Sequence, residues 1–528
     1  MSAEALPVSG LGGQARPNRW LVTVSVLFGA MMGAIDSSVV NVALAHIQAT
    51  YGVTTQQVTW VSTSYLITLV IIMPLTAWVA SGIGRKRMYL LAVTVFTAAS
   101  VLCGFSRTLG QLIAFRVLQG LAGGVLSPTA QAIMRETFPP AEQGQAMGFF
   151  AMVLLLGPAI GPTLGGWLTD NYSWPWIFFV NVPVGALALL LASRVIVDPS
   201  YMRARGFQRI DAVGISLMAV AFASLQILLE EGERDGWFQS AFISALAVVT
   251  VAALAAFAWW ELRARSPAVD LRVLRNVSFS SGMLIMGVLG LAMFGGLILL
   301  PLFVQKLLGY TATQAGLALM PRSLVMVLMM PLAGALYNRL GAYIMLPFGL
   351  ILSGAAGVML ARLNLASGPP QLLLPMIIQG TGLAFMFISL ATTALSTVPR
   401  YQMQGASGLF NLSFQLGGSL GTAIVITLVD HRTTTASANL MRYVTIYNPT
   451  FMRWWQQYQA AFAARGSDPT TAHRQALAAL QGLISQQAAV VAFDYAFAVI
   501  GVVFFVCLPL VLLLRRGQGG GRDVAVPD

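Results

Sequence analysis

The sequence predicts an all-α polytopic membrane protein whose 14 transmembrane helices form two parallel six-helix halves, with two helices inserted between them. The first reason is composition, because 57% of the residues are hydrophobic, 9% are charged and the mean hydropathy is +0.76. These values do not fit a water-soluble globule. The second reason is a series of 14 apolar runs, each near the roughly 20 residues that a helix needs to cross a bilayer. The third is a weak internal repeat.

The apolar runs follow one another through most of the chain. The first is too long for a cleavable signal peptide and lacks its flanks, so we expect it to be retained as a helix. Cys103 and Cys507 both fall inside runs, which argues against a disulfide framework. The runs cover residues 20–43, 57–80, 88–106, 110–132, 145–169, 175–196, 211–229, 238–260, 277–304, 314–337, 342–361, 371–396, 405–429 and 488–514.

Basic residues indicate the orientation of these helices. The net charge of +12 could indicate a nucleic-acid partner, but with both termini in the cytoplasm, 19 of the 30 Lys and Arg residues fall in the tails and inside loops. The short outside loops hold only four, and five more lie in one long outside loop, 430–487, where such counting carries little weight. We therefore interpret the charge as a sign of topology and expect no nucleic-acid partner.

The internal repeat relates helices one to six to helices nine to fourteen. At a shift of 260 residues, "GFFAMVLLLGPAIG" (148–161) aligns without gaps on "GLFNLSFQLGGSLG" (408–421). At a shift of 257, "AWVASGIGRKR" (77–87) falls on "GALYNRLGAYI" (334–344). Parallel halves of this kind are typical of one large class of secondary transporters. The predicted organisation is a tail at 1–19, a bundle at 20–200, an insertion with basic loops at 201–276, a second bundle at 277–514 and a tail at 515–528.

One carboxylate stands inside the first apolar run. Asp36 lies near the outer end of helix one, and Arg116 lies at a matching depth in helix four. Charges within a membrane normally mark a pathway or a relay. Because an apolar setting and a nearby cation act in opposite directions on a carboxylate, a change in their separation would alter how firmly Asp36 holds a proton. We hypothesise that the two residues couple protons to transport in a cavity where substrate competes; the alternative is a structural ion pair.

Helix five carries a ridge of small residues. Glycines recur at four-residue spacing, and two prolines remove backbone donors within the same helix. This combination predicts a helix that packs closely at the interface of the halves and bends or slides during transport, whereas ordinary membrane packing is the alternative. The residues are Gly157, Pro158, Gly161, Pro162, Gly165 and Gly166.

The remaining candidates are less specific. Asp494, in the last helix, is either a second titrating site or an interfacial carboxylate in water. Methionine and phenylalanine side chains of the second half suit varied lipophilic guests. The three histidines are scattered over the outside, so we expect no metal site. The candidate cavity residues are Asn41, Gln119, Gln379, Met293 and Phe385.

Four stretches resemble the major facilitator superfamily, and more narrowly its fourteen-helix drug:proton antiporters, typified by EmrB and QacA. They are "IDSSVVNVALA" (35–45), "FRVLQGLAGG" (115–124), "GPAIGPTLGGWL" (157–168) and "WPWIFFVNVPVG" (174–185). The third is the most specific, because in the superfamily it marks export. The resemblance implies a proton-driven exporter of lipophilic or cationic drugs that works by alternating access in the bacterial cytoplasmic (inner) membrane, with a proton gradient and no cofactor.

The resemblance also implies a cytoplasmic gate loop between helices two and three. The loop departs from the family pattern, because Ser81 stands where the family has an aspartate. The carboxylate that helps to latch the gate is therefore missing from its usual position. The gate residues are Gly84, Arg85, Lys86 and Arg87.

The long outside loop, 430–487, contains two predicted amphipathic helices, "PTFMRWWQQYQAAFAAR" and "PTTAHRQALAALQGLISQQ". The resemblance to EmrB implies that such a loop docks a periplasmic adaptor protein, which leads to an outer-membrane channel. The simpler alternative is a hairpin that rests on the bilayer.

Other functions are also compatible with parts of the sequence. A membrane enzyme would need clustered acids, His or Cys, and the acidic cluster "EEGERD" (230–235) lies in a short outside turn without a partner motif. We therefore expect no enzyme activity. An exporter of a specific metabolite, lipid or siderophore, or an importer, would keep the same fold.

Overall fold

The computed structural model describes residues 18–198, 211–264 and 267–514. Residues 1–17 of the first predicted tail, all of the second tail and most of the basic loop before the seventh predicted helix lie outside these residues, as do the side chains of Pro158 and Pro162. In the described ranges, every regular element is helical. Thirteen helices there are long and apolar enough to cross a membrane, and one more contains a shorter apolar stretch, Gln143–Gly157. Fourteen spans fit these findings.

The first half contains six spans, of which the last is broken after one turn. Its helices are α1 (Arg19–Tyr51), α2 (Thr55–Ile83), α3 (Arg85–Gly104), α4 (Leu109–Thr137), α5 (Gln143–Asn171), α6 (Trp176–Phe179) and α7 (Asn181–Val195). The short α6 and α7 together form the sixth span.

The inserted pair and the second half follow. The inserted helices are α8 (Ala212–Glu231) and α9 (Ala241–Arg263), and the later ones are α10 (Val277–Lys306), α11 (Ala312–Leu340), α12 (Ala342–Leu360), α13 (Pro369–Ser396), α14 (Met403–Met441), α15 (Pro449–Ala464), α16 (Pro469–Val506) and α17 (Leu508–Val511). The inserted helices pack on each other, and α8 also contacts α2 and α14.

The two halves repeat the same local signals. Thr54 opens α2 with a capping box, in which its hydroxyl and the side chain of Gln57 bond each other's backbone N–H groups. The same box recurs 257 residues later, where Thr311 opens α11. Gly84 ends α2 with φ of 88° and Gly341 ends α11 with φ of 73°, a region that favours glycine. The sequence repeat therefore corresponds to a structural repeat.

The halves meet where the helices reach the predicted cytoplasmic side. A β-carbon on Gly144 of α5 would lie 2.7 Å from the carbonyl oxygen of Gly334 of α11, so the two backbones touch. A β-carbon on Gly408 of α14 would overlap the carbonyl oxygen of Met73 of α2. Only glycine permits backbones to approach so closely.

Hydrogen bonds join the halves at the same level. Gln404 Nε2 donates to Thr129 Oγ1 at 3.0 Å, and Asn411 Nδ2 donates to Gln131 Oε1 at 2.7 Å. The structure is therefore closed on the predicted cytoplasmic side.

Both predicted segments of the outside loop are helical. The second is continuous with the last span in α16. The first segment forms α15, which packs against α16 through an edge-to-face contact of Trp455 and His473, with ring centroids 5.3 Å apart. Tyr447, between α14 and α15, is 88% exposed.

Candidate functional site

Asp36 and Arg116 are in direct contact. Arg116 Nη1 donates to Asp36 Oδ2 at 2.5 Å, which joins α1 to α4. Both side chains are almost completely buried, with 1% of Arg116 and none of Asp36 exposed. The prediction that Asp36 and Arg116 lie at the same depth in the membrane therefore identified two residues that are in contact. In this conformation, however, the pair is enclosed between helices and does not open into a vestibule.

Two amides complete the surroundings of the Asp36 carboxylate. Gln119 Nε2 and Asn181 Nδ2 donate to Asp36 Oδ1, at 2.9 and 3.1 Å. Gln119 Oε1 in turn accepts from Arg116 Nη1 at 2.7 Å. Each carboxylate oxygen therefore has a donor, as a buried anion requires. Gln119, predicted to line a cavity, is instead part of this network.

The network extends to the neighbouring helices. Ser100 Oγ of α3 accepts from both amides, at 3.2 and 3.0 Å, and donates to the carbonyl oxygen of Phe178 in α6. Arg116 Nε donates to the carbonyl oxygen of Val61 in α2. The guanidinium carbon lies 4.1 Å from the ring centroid of Tyr65, a cation–π contact. The network around this ion pair thus connects α1, α2, α3, α4, α6 and α7.

The glycine ridge of α5 lies against α1. A β-carbon on Gly157 would overlap the backbone of α1, and one on Gly161 would overlap Ser38 Oγ. Gly165 also faces α1, with the nearest carbonyl oxygen 3.0 Å from such a carbon, whereas the nearest atom at Gly166 is 4.0 Å away. Ser38 Oγ donates to the carbonyl oxygen of Gly157 at 2.9 Å. These contacts hold α5 against the part of α1 that lies within two helical turns of Asp36.

The position of this ridge adds detail to one expectation. The sequence predicted a helix at the interface of the halves, and the glycines of its ridge contact α1 within the first half. The helix does reach the second half, through Gly144 and Gly148 near its other end. α5 therefore contacts both the Asp36 helix and the closure between the halves. Pro158 and Pro162 lie in helical backbone, and their side chains are outside the described set.

The gate loop has carboxylate partners that the local motif lacks. Arg85 is buried, and its Nη2 donates to Glu136 Oε2 of α4 at 2.9 Å. The backbone N–H of Lys86 donates to Asp198 Oδ1 at 2.7 Å. Arg87 is exposed. The two acids that contact the gate loop therefore come from other segments of the first half.

The other candidates do not converge on one cavity. Asn41 is exposed and accepts a hydrogen bond from Ser62 Oγ at 2.9 Å. Met293 and Phe385 are buried in the second half. Asp494 is partly buried, and its Oδ1 has no hydrogen-bond partner within the described ranges. These residues have no shared site in this conformation.

The sequence patterns missed several residues of the site. Asn181, Ser100 and Tyr65 all surround the ion pair, and Asn181 could have been noticed as an amide within an apolar span. In the second half, Arg322 is buried, and its Nη1 lies 3.5 Å from Gln379 Oε1. The signal for Arg322 was available, because it is a charge in the middle of a predicted span.

Two repeated helical bundles that close on one side of a membrane, with an enclosed acid–base pair in one of them, define a secondary transporter. Comparison with known proteins agrees. The chain belongs to the major facilitator superfamily, whose model matches residues 26–422. It is a transporter and not an enzyme, so the predicted family, fold class and class of function are confirmed.

Two relatives and one solved structure illustrate the similarity. The chain is 33% identical to the multidrug export protein EmrB of Escherichia coli (strain K12), over 95% of this chain and 96% of the relative. It is 30% identical to the fatty acid resistance protein FarB of Neisseria gonorrhoeae, over 95% and 97%. The human organic anion transporter MFSD10 (TETRAN) superposes with a TM-score of 0.60 at 14% identity, covering 94% of this chain and all of that one, which supports the fold alone.

Proposed function

We propose that this protein exports lipophilic and cationic small molecules across the bacterial cytoplasmic membrane in exchange for protons, with both termini in the cytoplasm. The observation that carries the proposal is the enclosed Asp36–Arg116 pair, with Gln119 and Asn181 on the same carboxylate. The name of the relative EmrB, a multidrug export protein, supports the direction and the breadth of transport. The proton gradient is then the energy source, and no cofactor is needed.

Protonation of Asp36 would change the energy of the whole network. A protonated carboxyl no longer neutralises Arg116, which is buried in the bundle. Removing one partner from a buried ion pair costs about 3–5 kcal/mol. The protein can relieve this cost by a rearrangement in which the guanidinium reaches water or another acceptor. Proton binding therefore favours a second conformation.

The helices that carry the pair also carry the closure between the halves. α4 holds Arg116 near one end, and it holds Thr129 and Gln131, which bond the second half, near the other. α5 touches α1 through its glycine ridge and touches α11 through Gly144. A shift of α1 against α4 would thus reach the closed side through rigid helices, as alternating access requires.

Protonation of Asp36 also couples proton binding to substrate binding. If substrate binds better to the state in which Asp36 is charged, then proton binding must weaken substrate binding by the same factor. A cation benefits in addition from the negative carboxylate once Arg116 has moved. Export then follows from proton loading on the outside and proton release on the inside.

The test uses everted membrane vesicles from a host without its own drug exporters. Respiration acidifies the vesicle interior, so an exporter accumulates ethidium inside, and a protonophore abolishes the accumulation. Vesicles without the protein serve as the control. An importer would lose ethidium from the interior under the same gradient. Accumulation that persists with the protonophore would contradict a proton-driven mechanism.

We also propose that the outside hairpin of α14, α15 and α16 docks a periplasmic adaptor that leads to an outer-membrane channel. The proposal is supported by the continuation of α16 far beyond its predicted span and by exposed aromatic residues such as Tyr447 and Trp454. Replacing residues 443–467 by a flexible linker should abolish drug resistance of whole cells but leave export in everted vesicles unchanged. Unchanged resistance would favour a hairpin that rests on the bilayer.

A further inference from the structure

The second half encloses a cation that has no counter-ion among the described residues. Arg322 of α11 is only 2% exposed. Its Nη1 lies 3.5 Å from Gln379 Oε1, a marginal hydrogen bond, and its Nε has no partner in the described part of the chain. None of the ion pairs found among the described residues includes Arg322. A buried guanidinium with so few acceptors is unusual.

Arg322 lies where the repeat places the Asp36 site of the first half. Gly296 of α10 occupies the position of Asp36 at a shift of 260 residues, and a β-carbon there would lie 3.0 Å from Arg322 Nη1. At the same shift, Gln379 corresponds to Gln119, which bonds the Asp36 carboxylate. The guanidinium therefore lies beside the position that a carboxylate occupies in the other half.

The surroundings of this cation are apolar and adaptable. Met293 precedes Gly296 by one helical turn, Met326 follows Arg322 by one turn, and Met376 precedes Gln379 by one turn, and all three methionines are buried. Methionine side chains adjust to irregular apolar guests. Arginine binds carboxylates through two parallel hydrogen bonds, a geometry that lysine cannot provide.

We propose that Arg322 and Gln379 form a subsite for the carboxylate of lipophilic acids, with the apolar body of the acid against the methionines. The inference rests on the proposed export function, because the enclosed subsite becomes accessible only when the helices of the second half separate during alternating access. It adds amphiphilic anions to the lipophilic and cationic substrates proposed above. The acid supplies the counter-ion that the second half lacks.

The test compares two probes of equal chain length and opposite charge. The full-length protein in a nonionic detergent is titrated with radiolabelled dodecanoate and with dodecyltrimethylammonium. Arg322→Gln should weaken dodecanoate binding about 10- to 100-fold, the range for a lost hydrogen bond to a charged group. It should change the binding of the cation less than about twofold. Arg322→Lys should keep part of the affinity, because it keeps the charge and loses the fork.

The matched control is Arg339→Gln, which removes an exposed charge from the end of the same helix and should leave both affinities unchanged. Unchanged dodecanoate binding by Arg322→Gln would overturn the subsite, and so would an equal loss of both probes. If Arg322→Gln does not fold, Gln379→Leu replaces it: selective loss of dodecanoate supports the subsite, and no loss overturns it. Binding in detergent needs no proton gradient, so it can succeed even if the vesicle experiment fails.

Discussion

Asp36→Asn removes the charge of the central carboxylate but keeps the shape of the side chain. In the structure, the carboxylate accepts from Arg116 at 2.5 Å and from two amides at 2.9 and 3.1 Å. An asparagine can still accept from one or two of these donors, but it leaves Arg116 as a buried cation without a counter-ion. The loss approaches about 3–5 kcal/mol, the cost of removing one partner of a buried ion pair. That is a large part of a typical stability of about 5–15 kcal/mol.

A double variant distinguishes a structural pair from a proton-coupling pair. Asp36→Asn together with Arg116→Gln removes both charges, so most of the lost stability should return, because neutral replacement of a buried pair is often tolerated. Proton coupling should not return, since the proposed proton carrier, the Asp36 carboxylate, is absent from both variants. We expect substrate-driven proton movement at least about 100-fold below wild type for both the single and the double variant.

The assay uses proteoliposomes that contain a pH-sensitive dye, at matched protein content, with thermal unfolding measured on the same preparations. Wild-type proton movement by Asp36→Asn would refute the reasoning. Recovery of both stability and coupling in the double variant would show that the pair only joins α1 to α4.

Three further variants test other contacts. Gly161→Ala should abolish export because its β-carbon overlaps a hydroxyl on α1, whereas Gly166→Ala, with its nearest neighbour 4.0 Å away, should export normally in vesicles. Arg85→Gln should lower the thermal unfolding midpoint by several degrees, since it breaks a buried ion pair worth about 3–5 kcal/mol, while exposed Arg87→Gln should not. Asn411→Leu removes a hydrogen bond of about 1 kcal/mol between the halves, so the cytoplasmic closure should open about fivefold more often. The opening is measured by the rate at which maleimide labels a cysteine placed in the closure. An unchanged labelling rate would contradict the prediction.

The main features of the fold could be predicted because membrane crossing imposes a length on apolar runs. The Asp36–Arg116 contact was also predictable, since a fixed rise of 1.5 Å per residue converts sequence position into depth. Depth does not give the rotation of a helix about its axis. Asn181 therefore remained unnoticed although it lies at the same level, and its contribution depends on which face α7 turns toward α1.

Two further features of the structure could not be predicted from a local sequence pattern, for a reason other than helix rotation. The repeat places Gly296, an uncharged residue, at the position of Asp36, while the buried cation of the second half comes from a different helix, α11. Likewise, Ser81 stands at the aspartate position of the gate loop, while the carboxylate that pairs with Arg85 comes from Glu136 of α4. In both cases the charged residue lies on a helix outside the segment that the local pattern covers, so the pattern does not predict it.

The unbroken length of α16 gives the second half a lever arm. Its 38 residues amount to about 57 Å of rigid rod at 1.5 Å per residue, with the tip roughly 40 Å from the bilayer centre. A rotation of the second half by about 10° would sweep that tip through about 7 Å. Small tilts deep in the membrane would thus become large displacements outside it, where a spin label or a fluorophore could follow each turnover.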